Sequence, residues 1–103
     1  MTLKYKPNPT FRAKVEIPVA GGESIDVEFT FRHRGRKSLD AFSEQIREMP
    51  DVEALMLMVE DWADMGEPFG AGPLAQLIDD FPAAAFAITR TYFRELLQAR
   101  LGN

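Results

Sequence analysis

Residues Phe11–Arg32, FRAKVEIPVAGGESIDVEFTFR, decide how this chain folds. Phe11, Ala13, Val15, Ile17 and Val19 alternate with Arg12, Lys14, Glu16 and Pro18, the period of two that puts one face of a strand inward. Pro18 has no N–H, so this strand is expected at a sheet edge or broken near its end. Ala20-Gly21-Gly22-Glu23-Ser24 reads as a turn with two residues free to take positive φ. Ile25, Val27, Phe29 and Phe31 then repeat the inward pattern against outward Asp26, Glu28, Thr30 and Arg32. Setting Val19 opposite Ile25 also sets Ile17 opposite Val27 and Val15 opposite Phe29, so one register serves every apolar residue. A lone hairpin is marginal in water and needs a cover for its apolar face.

The cover is read downstream, where the period changes to 3.6 near residue 36. Leu39, Phe42, Ile46 and Met49 follow helical spacing until Pro50. Asp51 is placed to cap a second helix with the stripe Val52, Leu55, Val59 and Trp62, widened by Met56 and Met58. Residues 64–72 form a Gly-rich loop, and Pro73 suits the first position of a short helix carrying Leu74, Leu77 and Ile78. Asp80-Phe81-Pro82 breaks that helix and opens a fourth, from about Ala83 to Arg100, with Gly102 beyond it. Its apolar arc runs from Ile88, Tyr92 and Ala99 through Ala85, Phe93 and Leu96 to Phe86 and Leu97, about half the circumference. The expected fold is α+β: an N-terminal β-hairpin packed on about four helices, predominantly helical. Residues 1–10, with Pro7-Asn8-Pro9, read as a flexible lead-in, and residues 11–103 as one domain.

Composition narrows the function classes. The chain has 103 residues, 46% hydrophobic and 11% aromatic, with no cysteine and a net charge of -4. A core of its own is therefore within reach, whereas disulfides, thiolate metal sites and cysteine catalysis are excluded. No apolar run approaches the roughly 20 residues that span a bilayer. The first residues lack the apolar centre of a signal peptide, so the expected compartment is the cytoplasm. Residues 1–37 hold eight basic and four acidic side chains; residues 38–103 hold four basic and twelve acidic. Such asymmetry points to internal charge complementarity or head-to-tail association between copies, a homo-oligomer, rather than to a nucleic-acid binder.

Signals for chemistry are sparse. His33 is the only histidine and sits in a solvated basic stretch. Glu60, Asp61, Asp64 and Glu67 do not match the alternating ligands of a calcium loop. Gly21-Gly22 precedes a strand, and Gly70-Ala71-Gly72 precedes a helix with no lysine after it, so neither reads as a phosphate loop. No catalytic, cofactor or metal residues are assigned. Two features point to a partner instead. Arg32-His33-Arg34-Gly35-Arg36-Lys37 concentrates four cations at a strand–helix junction, where Arg32, Arg34 and Arg36 suit an acidic partner. Ala54-Leu55-Met56-Leu57-Met58-Val59 is apolar nearly all round. Either that helix is buried on two sides or Met56, Leu57 and Met58, joined by Ile88 and Tyr92 of the fourth helix, hold a partner's apolar segment.

The order of these segments resembles a known family. Phe29-Thr30-Phe31-Arg32-His33-Arg34 leads into Ser38-Leu39-Asp40-Ala41-Phe42, followed by Val59-Glu60-Asp61-Trp62, Pro68-Phe69, Leu74 to Leu77, Asp80-Phe81-Pro82-Ala83-Ala84-Ala85, Tyr92 and Ala99 to Asn103. Over about residues 25–103 it is similar to the small tail assembly chaperones of long-tailed bacteriophages and prophages. That resemblance implies a non-enzymatic helper that binds the phage tape measure protein, keeps it soluble in the bacterial host cytoplasm while the tail tube assembles, and is absent from the mature virion. It also implies a programmed frameshift, whose extended product would reach the tail tube protein; Leu101-Gly102-Asn103 is a tripeptide whose codons can form a slippery heptamer. The competing readings are a small nucleic-acid-binding or regulatory protein using residues 32–37, and a toxin-neutralising partner protein.

Overall fold

The computed structural model describes residues 6–98. Strands β1 (Thr10–Ile17) and β2 (Ile25–Arg32) pair antiparallel, and β3 (Val59–Trp62) adds to the far side of β2 to give the sheet order β1-β2-β3. Helix α1 (Arg36–Gln45) runs into a 3-10 turn (Ile46–Glu48), followed by α2 (Asp51–Met58), α3 (Ala71–Asp80) and α4 (Ala84–Gln98). The α+β class and the hairpin-plus-helices plan are as the sequence indicates.

Within the hairpin the faces mostly fall as the alternation requires: Ala13, Val15, Ile17, Val27, Phe29 and Phe31 are buried, while Arg12, Lys14, Glu16, Asp26 and Glu28 are exposed; Ile25, expected inward, is exposed at the turn end of β2. The register differs. Ile17 stands opposite Ile25, Val15 opposite Val27 and Ala13 opposite Phe29, two residues from the expected pairing. A shift of two keeps each side chain on its face, so the apolar pattern fits both registers equally. Pro18 breaks the tie, because it has no N–H to offer the ladder and the pairing stops at Ile17. The loop is closed by the Gly22 N–H donating to the Val19 carbonyl at 3.0 Å. Gly21 holds φ at 74°, a left-handed conformation that glycine adopts without a Cβ clash.

Residues 59–62 are the larger correction. Val59 and Trp62 continue the stripe of α2 on paper, yet the helix stops at Met58 and the next four residues are β3. Phe31 pairs with Val59 and Phe29 with Trp62, and the register slips between Thr30 and Phe31. The slip is a bulge, which adds one residue to β3 relative to its partner. Val59 and Trp62 are consequently both buried, with Glu60 and Asp61 both exposed. A bulged strand thus reproduces the i, i+3 spacing of a helical face.

Helix α2 lies at the centre of the molecule, against β2, β3, α3 and α4. That position is why its sequence is apolar nearly all round: Ala54, Leu55 and Met58 are buried, and Val52, Met56 and Leu57 pack part-buried against the core. Asp51 is the first residue of α2 rather than its cap; Pro50 holds the cap position, with no side-chain bond. Pro73 is the third residue of α3, still within the first turn, where its missing N–H costs no helical bond. Helix α4 packs on β1 and on α2 through Ala84, Ile88, Thr91, Tyr92 and Leu96. The carbonyl of Pro9 accepts from the His33 N–H at 2.8 Å, so the chain just ahead of β1 is already tied to the sheet. Residues 1–5, and the end of the expected fourth helix with Leu101-Gly102-Asn103, lie outside the described residues.

Candidate partner-binding surface

The eight side chains singled out from the sequence part into two groups. Met58, Ile88 and Tyr92 have no exposed surface, so none of them faces a partner in this fold. Each lies on the inward side of its helix, a side that period alone cannot tell from the outward one when the apolar arc is wide. Met56 and Leu57 are part-buried beside them. Arg32 is exposed and meets Glu60 across the sheet at 3.5 Å, while Arg36 is exposed and meets Asp40 one turn along α1 at 3.5 Å.

Arg34 is held inward. Its Nη1 donates to the Tyr92 hydroxyl at 2.8 Å and to the Leu57 carbonyl at 3.0 Å, and its guanidinium carbon lies 3.8 Å from the centre of the Phe42 ring. The Tyr92 hydroxyl in turn donates to the Arg32 carbonyl at 2.8 Å. One cation therefore links the end of the hairpin to α1, α2 and α4. Burial raises the Tyr92 pKa above its ordinary value, because the phenolate would lose its hydration; the Arg34 hydrogen bond and charge oppose that shift only in part. The arginines of the basic run are thus all engaged within the molecule, Arg34 inward and Arg32 and Arg36 in solvated ion pairs, while Lys37 is exposed.

Among the described residues the exposed large apolar side chains are Ile25 on β2 and, on one side of α4, Phe86 and Leu97. Phe86 is 68% exposed and Leu97 39% exposed. Phe93 lies part-buried on the same side, stacked on Phe42 with ring centres 6.3 Å apart. Alongside Phe86 runs a groove of about 610 Å³ between α4 and the hairpin. Ala87 and Thr91 of α4, with Ala83 just ahead of that helix, form one side, with Arg90 and Arg94 on the rim and Lys14, Glu16 and Asp26 opposite. Phe86 and Leu97 are visible in the sequence as one edge of the apolar arc; which edge would stay open depends on where β1 and α2 pack.

The described residues contain no group of three or more acidic or histidine side chains placed to hold a metal ion. No described helix is long and apolar enough to cross a membrane. What the molecule offers is a covered sheet, an internally tied basic corner and one helix with apolar side chains left in water.

The sequence profile of a family described as phage tail assembly chaperone matches residues 1–103, the whole chain. The chain belongs to that family. A tail assembly chaperone serves assembly and not catalysis, in keeping with an architecture whose distinctive feature is surface. Phage tail proteins are accordingly the class of partner. No curated protein and no solved structure is significantly similar to this chaperone, so the fold stands on the geometry above.

Proposed function

We propose that this tail assembly chaperone binds the tape measure protein and keeps it soluble in the host cytoplasm while the tail tube forms, leaving before the virion is complete. The observation that carries the reading is Phe86, a large apolar side chain 68% exposed on a chain of net charge -4. An isolated exposed apolar residue is ordinary, but here Leu97 and part of Phe93 share its side of α4. A long, helical tape measure chain has apolar faces to shield before it is enclosed, and a small charged body with a spare apolar helix supplies both cover and solubility. The docking surface proposed from the sequence accordingly moves outward along α4, from Ile88 and Tyr92 to Phe86 and Leu97. A longer product made by slippage at Leu101-Gly102-Asn103 would join this body to a second region that contacts the tail tube protein.

The test is co-expression. The tape measure protein is produced with and without this chain, and its soluble fraction and co-purification are measured. Recovery of soluble tape measure protein in complex with the chain is expected; aggregation to the same extent in both cultures would refute the proposal. Mass spectrometry of purified virions should find the tape measure protein and not the chaperone.

A further inference from the structure

Phe86, Arg90, Phe93 and Leu97 stand at spacings of four, three and four along α4. That is the spacing of the a and d positions by which one helix seats another. On α4 the stripe lies opposite the buried Ala84, Ile88 and Thr91, so over about three turns Phe86, Arg90 and Leu97 stand toward solvent, with Phe93 part-buried between them, on a helix anchored on the sheet and α2. The seam is partly rigid already, since Phe93 is stacked on Phe42.

Its charges are of one sign. Arg90 lies in the stripe and Arg94 on its flank, whereas the one carboxylate on α4, Glu95, is on the inward half of the helix. Arg94 meets Glu95 only at 4.0 Å, with both side chains solvated, and Arg90 has no ion pair among the described residues. Across the groove Glu16 and Asp26 stand with Lys14, and neither carboxylate makes an ion pair within 4.0 Å with either arginine. On an acidic chain, the apolar stripe of α4 is therefore edged by two guanidinium groups, Arg90 without an ion pair among the described residues and Arg94 with one long, solvated contact to Glu95. Two copies joined through α4 would bring four arginines to the seam.

We infer that the solvent face of α4 receives an acidic amphipathic helix, with its apolar a and d side chains on Phe86, Phe93 and Leu97 and its flanking carboxylates on Arg90 and Arg94. The inference rests on the proposed function for its biological occupant, and it specifies which segments of a partner would be chosen: helical heptads whose flanking positions are acidic. Complementary flanking charges select the partner, and the apolar side chains hold it.

Two synthetic three-heptad peptides test it, both with leucine at a and d, one with glutamate and the other with lysine at e and g. Binding to the full chain is followed by fluorescence anisotropy in low salt. The glutamate peptide is expected to bind about tenfold more tightly than the lysine peptide, and the Arg90→Glu, Arg94→Glu double variant to reverse that order. Phe86→Ala with Leu97→Ala should weaken the glutamate peptide by about tenfold or more, with a thermal melt within a few degrees of wild type because Phe86 is mostly exposed and Leu97 partly so. Equal affinity for the two peptides, no binding of either, or binding indifferent to Phe86 and Leu97 would overturn the inference. So would sedimentation showing a dimer that Phe86→Ala dissociates, which would assign the seam to a second copy. Co-purification of the tape measure protein with the Phe86→Ala, Leu97→Ala variant at wild-type yield would remove the seam and leave the chaperone role standing. Failure of the wild-type chain to bind tape measure protein, with peptide discrimination intact, would do the reverse.

Discussion

Arg34 and Tyr92, separated by 58 residues in sequence, meet at 2.8 Å between guanidinium and hydroxyl. Because the same Nη1 reaches the Leu57 carbonyl and the hydroxyl reaches the Arg32 carbonyl, neither group can be removed without orphaning another. Tyr92→Phe leaves the Arg32 carbonyl and part of Arg34 without their partners and should cost about 1–3 kcal/mol. Arg34→Met loses two hydrogen bonds and the contact with Phe42, and should cost about 2–4 kcal/mol. In urea denaturation the double variant should be less destabilised than the two losses added together; strict additivity would mean that the pair does not act as a unit.

The same tyrosine gives the fold an alkaline limit. Its pKa is raised in the folded chain, chiefly by burial, so the folded state holds the phenol proton more tightly than the unfolded state does. Stability is therefore unaffected below the ordinary tyrosine value near 10 and falls as pH climbs from there toward the raised value. Thermal melts between pH 9 and about 11.5 should show this fall in the wild type and a shallower one in Tyr92→Phe.

Helix α1 begins without a side-chain cap. Gly35 stands at its N-cap in an extended conformation, φ -75° and ψ 173°, and a Cβ there would meet nothing within 4 Å. Gly35→Ser adds an acceptor for a free N–H of the first turn and restricts the unfolded chain. It should stabilise by about 0.5–1 kcal/mol, seen as a higher melting temperature.

Three neighbouring apolar residues of α2 should respond in order of burial. Met58→Ala, at a position with no exposure, should cost about 2–4 kcal/mol, and the part-buried Met56→Ala and Leu57→Ala roughly half as much each. If Leu57→Ala proved as costly as Met58→Ala, the outward side of α2 would have to be core.

Deleting Glu60 should be tolerated better than Met58→Ala. It is the extra residue of the bulge, and without it Val59, Asp61 and Trp62 stand in strict alternation opposite Phe31, Thr30 and Phe29, so both apolar side chains keep the inward face. A loss of no more than about 1–2 kcal/mol, with Trp62 fluorescence unshifted, is expected; a red shift would mean that the bulge itself holds Trp62 inward. The Glu60→Ala substitution, which keeps the bulge and loses only an exposed contact with Arg32, should stay near wild type.

These residues also mark how far the sequence could be read. The inward faces of β1 and β2 were legible because strict alternation has one interpretation; their register was not, because pairings two residues apart satisfy it equally. Residues 59–62 were misleading because a bulge gives a strand the spacing of a helix. On α4 the breadth of the apolar arc was evident, but whether Ile88 or Phe86 would be covered depended on the placement of β1 and α2. Arg34 reads from the sequence as open to an acidic partner, because its sequence neighbours are basic and none is an acid it could pair with. Its actual partners, Leu57 and Tyr92, come from segments 23 and 58 residues further along.

The Arg34–Tyr92 contact also sets an order of events on the ribosome. The hairpin, α1 and α2 are translated first, yet until α4 emerges the guanidinium has no hydroxyl and the inward face of β1 has no helix upon it. A nascent chain halted before residue 92 thus has a sheet open along one side, and the folded body closes only once α4 has been translated. Any surface carried by α4 is therefore presented by chains that have been translated through that helix, and not by shorter ones.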